Sequence, residues 1–185
     1  MSDPRREVIG FYSDAGPDNR GRFLKEIQNW SDDELGRTHD YIQWLFPLDE
    51  PSGVNLNAPT LNAYTINRFR SDADLRRRLQ ASLVRMLAFY GLEMRATVPL
   101  SVVCTESFPE RAENWLTPSN HNHLKITRIL RSLCLLGLED QADSFFRFLE
   151  MLYEMESTRP HPRISLETFG YWRSALDPDK FLSGL

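Results

Sequence analysis

The stretch that decides the fold is residues 119–156, SNHNHLKITRILRSLCLLGLEDQADSFFRFLEMLYEME. Its apolar residues recur at intervals of three and four, which is the spacing of one face of an α-helix. Gly137 separates two such segments, and glycine is common just after the last turn of a helix. So short a connection leaves two helices antiparallel, and we expect a central helical hairpin over residues 120–136 and 139–156. The residues that should form its core are Ile126, Ile129, Leu130, Leu133, Ala142, Phe145, Phe146, Leu149, Leu152 and Tyr153.

Shorter segments with helical spacing surround the predicted hairpin, at residues 19–30, 32–46, 61–69, 72–90 and 165–176. Polar side chains that accept hydrogen bonds from free backbone N–H groups favour helix starts, whereas glycine and proline favour helix ends. The predicted starts are Ser31, with Glu34 completing a capping box, Thr60 and Ser71, and the predicted ends are Pro47 and Gly91.

Two further segments complete the fold prediction. Residues 96–104 alternate like a strand, but Pro99 lacks a backbone N–H, so we expect an edge strand or extended coil there. Residues 47–59 form a long proline-rich loop, and loops of that length are usually functional or disordered. The sequence therefore predicts an all-α, single-domain helical bundle over residues 9–176, with terminal tails at 1–8 and 177–185.

The composition restricts the class of protein. Of 185 residues, 41% are hydrophobic and 26% are charged, which is typical of a globular chain. The net charge of −4 disfavours a general nucleic-acid binder, which usually carries a basic field. The most apolar run, LCLLGL, is too short for membrane insertion, and the N-terminus lacks the apolar run of a signal peptide. Cys104 and Cys134 are too few for a disulfide scaffold, so we predict buried, reduced thiols and a cytoplasmic location.

An unusually aromatic stretch, HDYIQWLFPLDEPSG, occupies residues 39–53. Its apolar residues span most of a helical circumference, so we expect Ile42, Leu45 and Phe46 to point into the core. The other side, including Asp40, should meet the first turn of the hairpin at residues 120–123, whose backbone N–H groups need acceptors. Asp40 would then be either a structural lock or part of a ligand site.

We predict a ligand-binding site from these two segments. An amine could meet Asp40 or Asp49 while the rings of the ligand stack on Tyr41 and Trp44. An anion could instead lie at the helix start, near Asn120, His121 and Arg128. The ligand would be a small peptide, a metabolite or a protein segment. The predicted site residues are His39, Asp40, Tyr41, Gln43, Trp44, Asn120, His121, His123 and Arg128.

Neither a metal site nor an enzyme is predicted. His121 and His123 are two residues apart, which on a helix places them about 200° apart around the axis, so they cannot share one ion there. They could bind one together only if residues 119–123 were extended and a third ligand such as His39 joined them. The chain has no HExxH zinc motif, nucleophile elbow, phosphate loop or dinucleotide fingerprint. We therefore expect no cofactor and no catalytic residues.

Arginines form a second candidate surface. Arg77, Arg78 and Arg85 fall opposite the apolar stripe of their predicted helix, either as a solvated face or as an anion patch. Lys125, Arg128 and Arg131 could form a second cationic strip. Weak nucleic-acid or phosphate binding is the function that these strips favour.

Three long motifs resemble the conserved N-terminal region of the opioid growth factor receptor family: HDYIQWLFPLDEPSGVNLNAP, RMLAFYGLE and HNHLKITRILRSLCLLGLEDQA. The resemblance extends over about residues 9–176. It implies a receptor-like role, since the animal namesake is described as a receptor for an enkephalin peptide that is found at the nucleus. It implies no catalytic residues, and a nuclear location only if this chain follows that namesake. We expect a short single-domain member without the C-terminal repeats.

Three functions follow from these observations. The first is a non-enzymatic ligand- or peptide-binding module. The second is a protein–protein interaction scaffold without a ligand, whose aromatic residues form the core. The third is a weak nucleic-acid or phosphate-binding protein that uses the arginine-rich helix faces.

Overall fold

The computed structural model describes residues 4–53 and 55–177. The predicted C-terminal tail beyond Asp177, and Val54 of the proline-rich loop, lie outside the described residues. The elements in chain order are α1 (Pro4–Tyr12), α2 (Leu24–Gln28), α3 (Asp32–Arg37), α4 (Ile42–Leu45), α5 (Ala63–Ser71), α6 (Ala73–Phe89), β1 (Leu92–Arg95), β2 (Ser101–Cys104), α7 (Phe108–Trp115), α8 (His121–Leu135), α9 (Glu139–Ser157) and α10 (Leu166–Ser174).

The fold is mostly helical, but the all-α prediction is incomplete because a two-stranded antiparallel sheet is present. β1 and β2 pair with Leu92 opposite Cys104 and Arg95 opposite Ser101. Pro99 lies in the loop between the strands, where its missing N–H costs no ladder hydrogen bond. Cys104, the last residue of β2, is exposed, contrary to prediction, whereas Cys134 is buried as predicted.

Of the three predicted helix caps, Ser31 is confirmed, whereas Thr60 and Ser71 are wrong. Ser31 and Glu34 form the predicted capping box: the Ser31 hydroxyl accepts from the Glu34 N–H, and the Glu34 carboxylate accepts from the Ser31 N–H. Thr60 does not cap α5; the side chain of Asn62 does, by accepting from the Thr65 N–H at 3.0 Å. A planar amide oxygen two positions further along reaches the free N–H groups of the first turn.

Ser71 does not start α6, because it is the last residue of α5 and donates back to the Asn67 carbonyl. Asp72 caps α6 instead, accepting from the Asp74 N–H at 2.9 Å. The helix expected to continue from Ser31 to Pro47 is interrupted after Arg37, since Thr38 adopts an extended backbone. The chain becomes helical again only in the four residues of α4.

The chain divides into two compact units. The first contains the residues up to Arg85 together with Leu135–Gly137, and the second contains residues 86–134 and those from Leu138 onward. In the first unit, α1 packs against α5, and the rings of Tyr12 and Phe69 meet edge to face at 5.1 Å. α1 includes most of the predicted N-terminal tail, and its Val8 is buried.

The helices α8 and α9 belong to the second unit except for Leu135 at the end of α8, and they begin and end within one residue of the predicted hairpin helices. Gly137 has φ +87°, which glycine adopts at low cost, and the Leu138 N–H donates to the Leu133 carbonyl at 2.9 Å. The nine predicted core residues before Tyr153 are all buried. β2 lies against α9, and α10 packs on α9 through a stacked pair, Tyr153 and Phe169, with ring centroids 4.1 Å apart.

Gly91 ends α6 as predicted and also allows a close approach inside the second unit. Its φ of +77° favours glycine. A Cβ at this position would lie 2.7 Å from the Phe108 Cα, so the backbones of β1 and α7 could not meet as they do. Over the described ranges, no helix combines the length and the apolar character needed to span a membrane.

Candidate functional site

Asp40, the central residue of the predicted site, is held by two arginines. Its Oδ1 accepts a hydrogen bond from Arg22 Nη1 at 2.9 Å, and its Oδ2 forms an ion pair with Arg20 Nε. Partial burial alone would raise the pKa of Asp40, but the hydrogen bond from Arg22 and the two positive charges lower it below its ordinary value. The carboxylate therefore already has its charge partners.

The loop that supplies these arginines is organised by a buried carboxylate. Asp18 is only 4% exposed, and its Oδ1 accepts from the backbone N–H groups of Arg20 and Arg22 at 2.8 and 2.9 Å. Its Oδ2 accepts from Arg22 Nε at 2.7 Å. The Arg22 guanidinium also lies over the Trp30 ring, 5.4 Å from its centroid. Arg22 thus bridges Asp18 and Asp40 and orients the loop between α1 and α2.

The aromatic residues of the stretch at residues 39–53 belong to the core of the first unit. Ile42, Leu45 and Phe46 are buried, as predicted. Trp44 is also buried, 2% exposed, and its Nε1 donates to the Asn19 side-chain oxygen at 3.0 Å. The Tyr41 hydroxyl donates to the Leu35 carbonyl at 3.3 Å, and burial raises the pKa of this phenol. Gln43 is buried too, whereas His39 is exposed.

A ring of a ligand cannot stack on Tyr41 or Trp44 in this arrangement, because Phe11 and Trp30 already contact them. The Phe11 and Trp44 centroids are 5.3 Å apart, and those of Trp30 and Tyr41 are 5.7 Å apart. Such aromatic pairs contribute to stability in addition to their burial. The excess of aromatic surface in this stretch therefore serves packing within the first unit.

The start of α8 is capped by a residue of the same segment. The Asn120 side-chain oxygen accepts from the Asn122 N–H at 2.9 Å, which is the role that we had considered for Asp40 or a ligand. The Trp172 Nε1 donates to the His123 carbonyl at 3.0 Å, and the two rings meet edge to face at 5.5 Å. His123 is buried, and burial lowers the pKa of its imidazole.

The accessible face of α8 is small. His121 is exposed and Arg128 is half-buried, while Leu124 between them is 69% exposed. These residues are at positions i, i+3 and i+7, so they lie within about 60° of one another around the helix. Lys125 and Arg131, which we had placed in a cationic strip with Arg128, are buried. Burial lowers the pKa of Lys125 to about 8.

The three arginines of the predicted anion patch on α6 each have a carboxylate partner in the first unit. Arg77 pairs with Asp74, and Arg78 pairs with Asp14. Arg85 donates to the Trp30 carbonyl and to Asp32 Oδ1, both at 2.7 Å. Because these partners neutralise the guanidinium charges, the three arginines offer less attraction to a phosphate than their spacing suggested.

Within the part of the chain that the structure describes, no three His, Cys, Asp or Glu side chains are grouped so that they could hold a metal ion. His121 and His123 lie in different environments, one exposed and one buried.

The feature that was not predicted from the sequence is the Asp18–Arg22 loop. The run GPDNRGR at residues 16–22 could have indicated it, since aspartate, asparagine and glycine together favour a turn organised by side-chain hydrogen bonds.

Residues 9–179 match the family described as the opioid growth factor receptor (OGFr) conserved region. The chain is 43% identical over 144 residues to the opioid growth factor receptor of Mus musculus, covering 76% of this chain and 22% of that protein. It is 38% identical over 159 residues to the receptor of Homo sapiens, covering 84% of this chain and 23% of that protein.

A second group of relatives carries a different name. The chain is 36% identical over 155 residues to opioid growth factor receptor-like protein 1 of Mus musculus, covering 82% of this chain and 33% of that protein. The chain thus spans between about a fifth and a third of the length of these relatives. No solved structure matches it.

Proposed function

We propose that this chain, which belongs to the opioid growth factor receptor family, is a non-catalytic module that binds a peptide segment. The relatives are named as receptors, and recognition is the function class that this name implies for them. The chain covers only about a fifth to a third of those relatives. For this reason, a receptor activity like that of the full-length relatives is proposed for this chain and is not a finding. Its two cysteines are free thiols, which supports the cytoplasmic location that we propose.

The observation that carries the proposal is a set of exposed apolar side chains at one end of the α8–α9 pair. Leu124 of α8 is 69% exposed, and Met151 and Met155 of α9 are 51% and 57% exposed. The two methionines are one helical turn apart on one face. Methionine is common at surfaces that bind apolar segments because its side chain is unbranched and adaptable.

These residues belong to the same end of the pair because α10 contacts both helices there. Trp172 of α10 contacts His123, the neighbour of Leu124, and Phe169 contacts Tyr153, which is between the two methionines in the sequence but points to the other side of α9. Trp172 and Phe169 are themselves only one helical turn apart. We propose that an apolar anchor of the peptide contacts Leu124, while His121 and Arg128 meet its polar or acidic groups.

Some residues of the predicted ligand site belong to this proposed surface on α8, and the others do not. Only His121 and Arg128 are retained as contact residues, with Asn120 as the cap that orders the start of α8. Asp40 and its arginines hold the loop between α1 and α2. The remaining members are buried or lie in the first unit: His39, Tyr41, Gln43, Trp44 and His123.

The test is selection of linear peptides from a displayed library against the folded chain, followed by titration of the selected peptides. A fluorescein-labelled enkephalin peptide is titrated in parallel, because the family resemblance implies that ligand class. Leu124→Asp should weaken binding about tenfold or more, since it places a charge in the apolar contact. Val98→Asp is the matched control, because Val98 is an exposed apolar residue in the β1–β2 loop.

Three outcomes are decisive. Binding lost in Leu124→Asp and kept in Val98→Asp supports both the function and the surface. Binding that is equal in the two variants keeps peptide recognition but removes it from α8. The absence of any peptide that binds above background contradicts the proposed function.

A further inference from the structure

β1 has an open edge. The Thr105 N–H donates to the Gly91 carbonyl at 2.9 Å, and Glu93 and Arg95 lie opposite Val103 and Ser101 in the same register. Because hydrogen-bonded and non-hydrogen-bonded pairs alternate in an antiparallel ladder, the backbone groups of Glu93 and Arg95 point toward β2. Those of Met94 point away from it. Among the described residues, the outward N–H and C=O of Met94 have no hydrogen-bond partner.

The other strand is backed by a helix. β2 lies against α9, whereas β1 has a comparable contact only with β2 among the described elements. The side chains of Glu93 and Arg95 are 48% and 59% exposed, and they pair with each other at 2.9 Å. A cleft of about 530 Å³ opens over this end of the sheet, lined by Glu93, Arg95, Cys104, Thr105, Glu106 and Ser107.

The order Glu93-Met94-Arg95 is complementary to itself. If two β1 strands pair antiparallel about a two-fold axis through Met94, Glu93 of each chain lies opposite Arg95 of the other. Opposite charges directly across from each other stabilise a strand pair, whereas like charges destabilise it. An edge strand that carries one sign of charge would repel a second copy, but this order attracts one.

We propose that β1 is the pairing edge of a homodimer in which two hairpins form one four-stranded antiparallel sheet. The interface is isologous, because the same residues of each copy face each other. Two-stranded sheets are marginal by themselves, and two additional strands increase the number of paired backbone groups. The paired segment is only four residues long, so the dimer is weak and depends on concentration.

The test is sedimentation velocity of the full chain over a wide concentration range that reaches the millimolar. The weight-average mass of the wild type should rise from the 21.6 kDa of one chain toward twice that value. Glu93→Arg and Arg95→Glu should each weaken association about tenfold or more, because each variant places like charges across the axis. The double variant Glu93→Arg/Arg95→Glu should restore association, because it exchanges the two charges and recreates the complementary pairs.

The control is Glu113→Arg, which makes the same charge change at an exposed position of α7 outside the strand and should leave association unchanged. A mass that stays at one chain at every concentration overturns the proposal, and so does a dimer that persists in both single variants. A monomeric chain that binds selected extended peptides through β1 would mean that the edge serves a foreign strand instead. Peptide binding that depends on Leu124 should be unchanged in Glu93→Arg, so the two proposals fail independently.

Discussion

Arg22 Nη1 lies 2.9 Å from Asp40 Oδ1, and the other side of the same guanidinium lies 2.7 Å from Asp18 Oδ2. One arginine therefore joins two carboxylates that are 22 positions apart in the sequence, and it stacks over the Trp30 ring while doing so. The bridge connects the loop after α1 to the segment before α4, where the aromatic stretch enters the core. Its consequences can be measured.

Asp40→Asn should lower the free energy of unfolding by about 1–3 kcal/mol, because a charge-assisted hydrogen bond is lost and Arg22 keeps only one carboxylate. Urea unfolding at neutral pH measures this difference. Asp143→Asn is the matched control, since Asp143 is exposed on α9 and should change stability little. Equal stability of wild type and Asp40→Asn would show that the bridge contributes nothing measurable.

The contribution of Asp40 should also depend on pH. The folded-state pKa of Asp40 is lowered, so its contribution is complete above the ordinary pKa of aspartate and is lost as the pH falls through the folded-state value. The difference in unfolding free energy between wild type and Asp40→Asn should therefore be constant near neutrality and shrink in acid. A difference that grows on acidification would contradict the direction of the shift.

His123 should make the second unit sensitive to mild acid. Burial lowers the pKa of its imidazole, so the unfolded chain binds a proton more readily than the folded chain. Stability attributable to His123 is complete above the ordinary histidine pKa of about 6.5 and decreases as the pH falls below it. His123→Phe keeps an aromatic ring beside Trp172 and removes the titration.

Thermal unfolding of the wild type and His123→Phe between neutral pH and pH about 5 checks this expectation. The wild type should lose stability over that interval relative to the variant. Parallel pH profiles of the two proteins would show that His123 does not carry the proton linkage. The Trp172 hydrogen bond is unaffected by the substitution because its acceptor is a backbone carbonyl.

Two glycines should respond to alanine in opposite directions. Gly91→Ala places a methyl group 2.7 Å from the Phe108 Cα at a φ of +77°, so it should destabilise the protein by more than about 1 kcal/mol. Gly170→Ala is the counterpart, because no heavy atom outside its chain neighbours and the adjacent backbone of α10 lies within 4 Å of its Cβ position. It should stabilise by about 0.5–1 kcal/mol, since alanine favours helix. Melting temperatures of both variants measure the contrast, and a tolerated Gly91→Ala would mean that α7 can move away.

The β1–β2 hairpin was only partly predicted from the sequence. An edge strand or extended coil was expected over residues 96–104, where β2 lies at Ser101–Cys104, but no strand was expected at β1. The effect of Pro99 is local, because it removes a donor only at its own position. The chain places that position in the turn, where no donor is needed. The pairing of Leu92 with Cys104 joins residues that carry no mutual signal in the sequence, and the support of β2 by α9 depends on the tertiary packing.

By itself, the sequence determined the features that arise within one or two helical turns. The α8 and α9 helices, the Ser31 capping box and the helix ends at Gly91 and Gly137 follow from apolar spacing, side-chain acceptors and glycine conformation, all of which act locally. Only the tertiary structure decided the role of Asp40 and Trp44. The sequence alone does not show whether the partner of a carboxylate or an indole is a ligand or a residue that is distant in the chain. In the folded chain those partners are Arg22 for Asp40 and Asn19 for Trp44, both brought from an earlier loop.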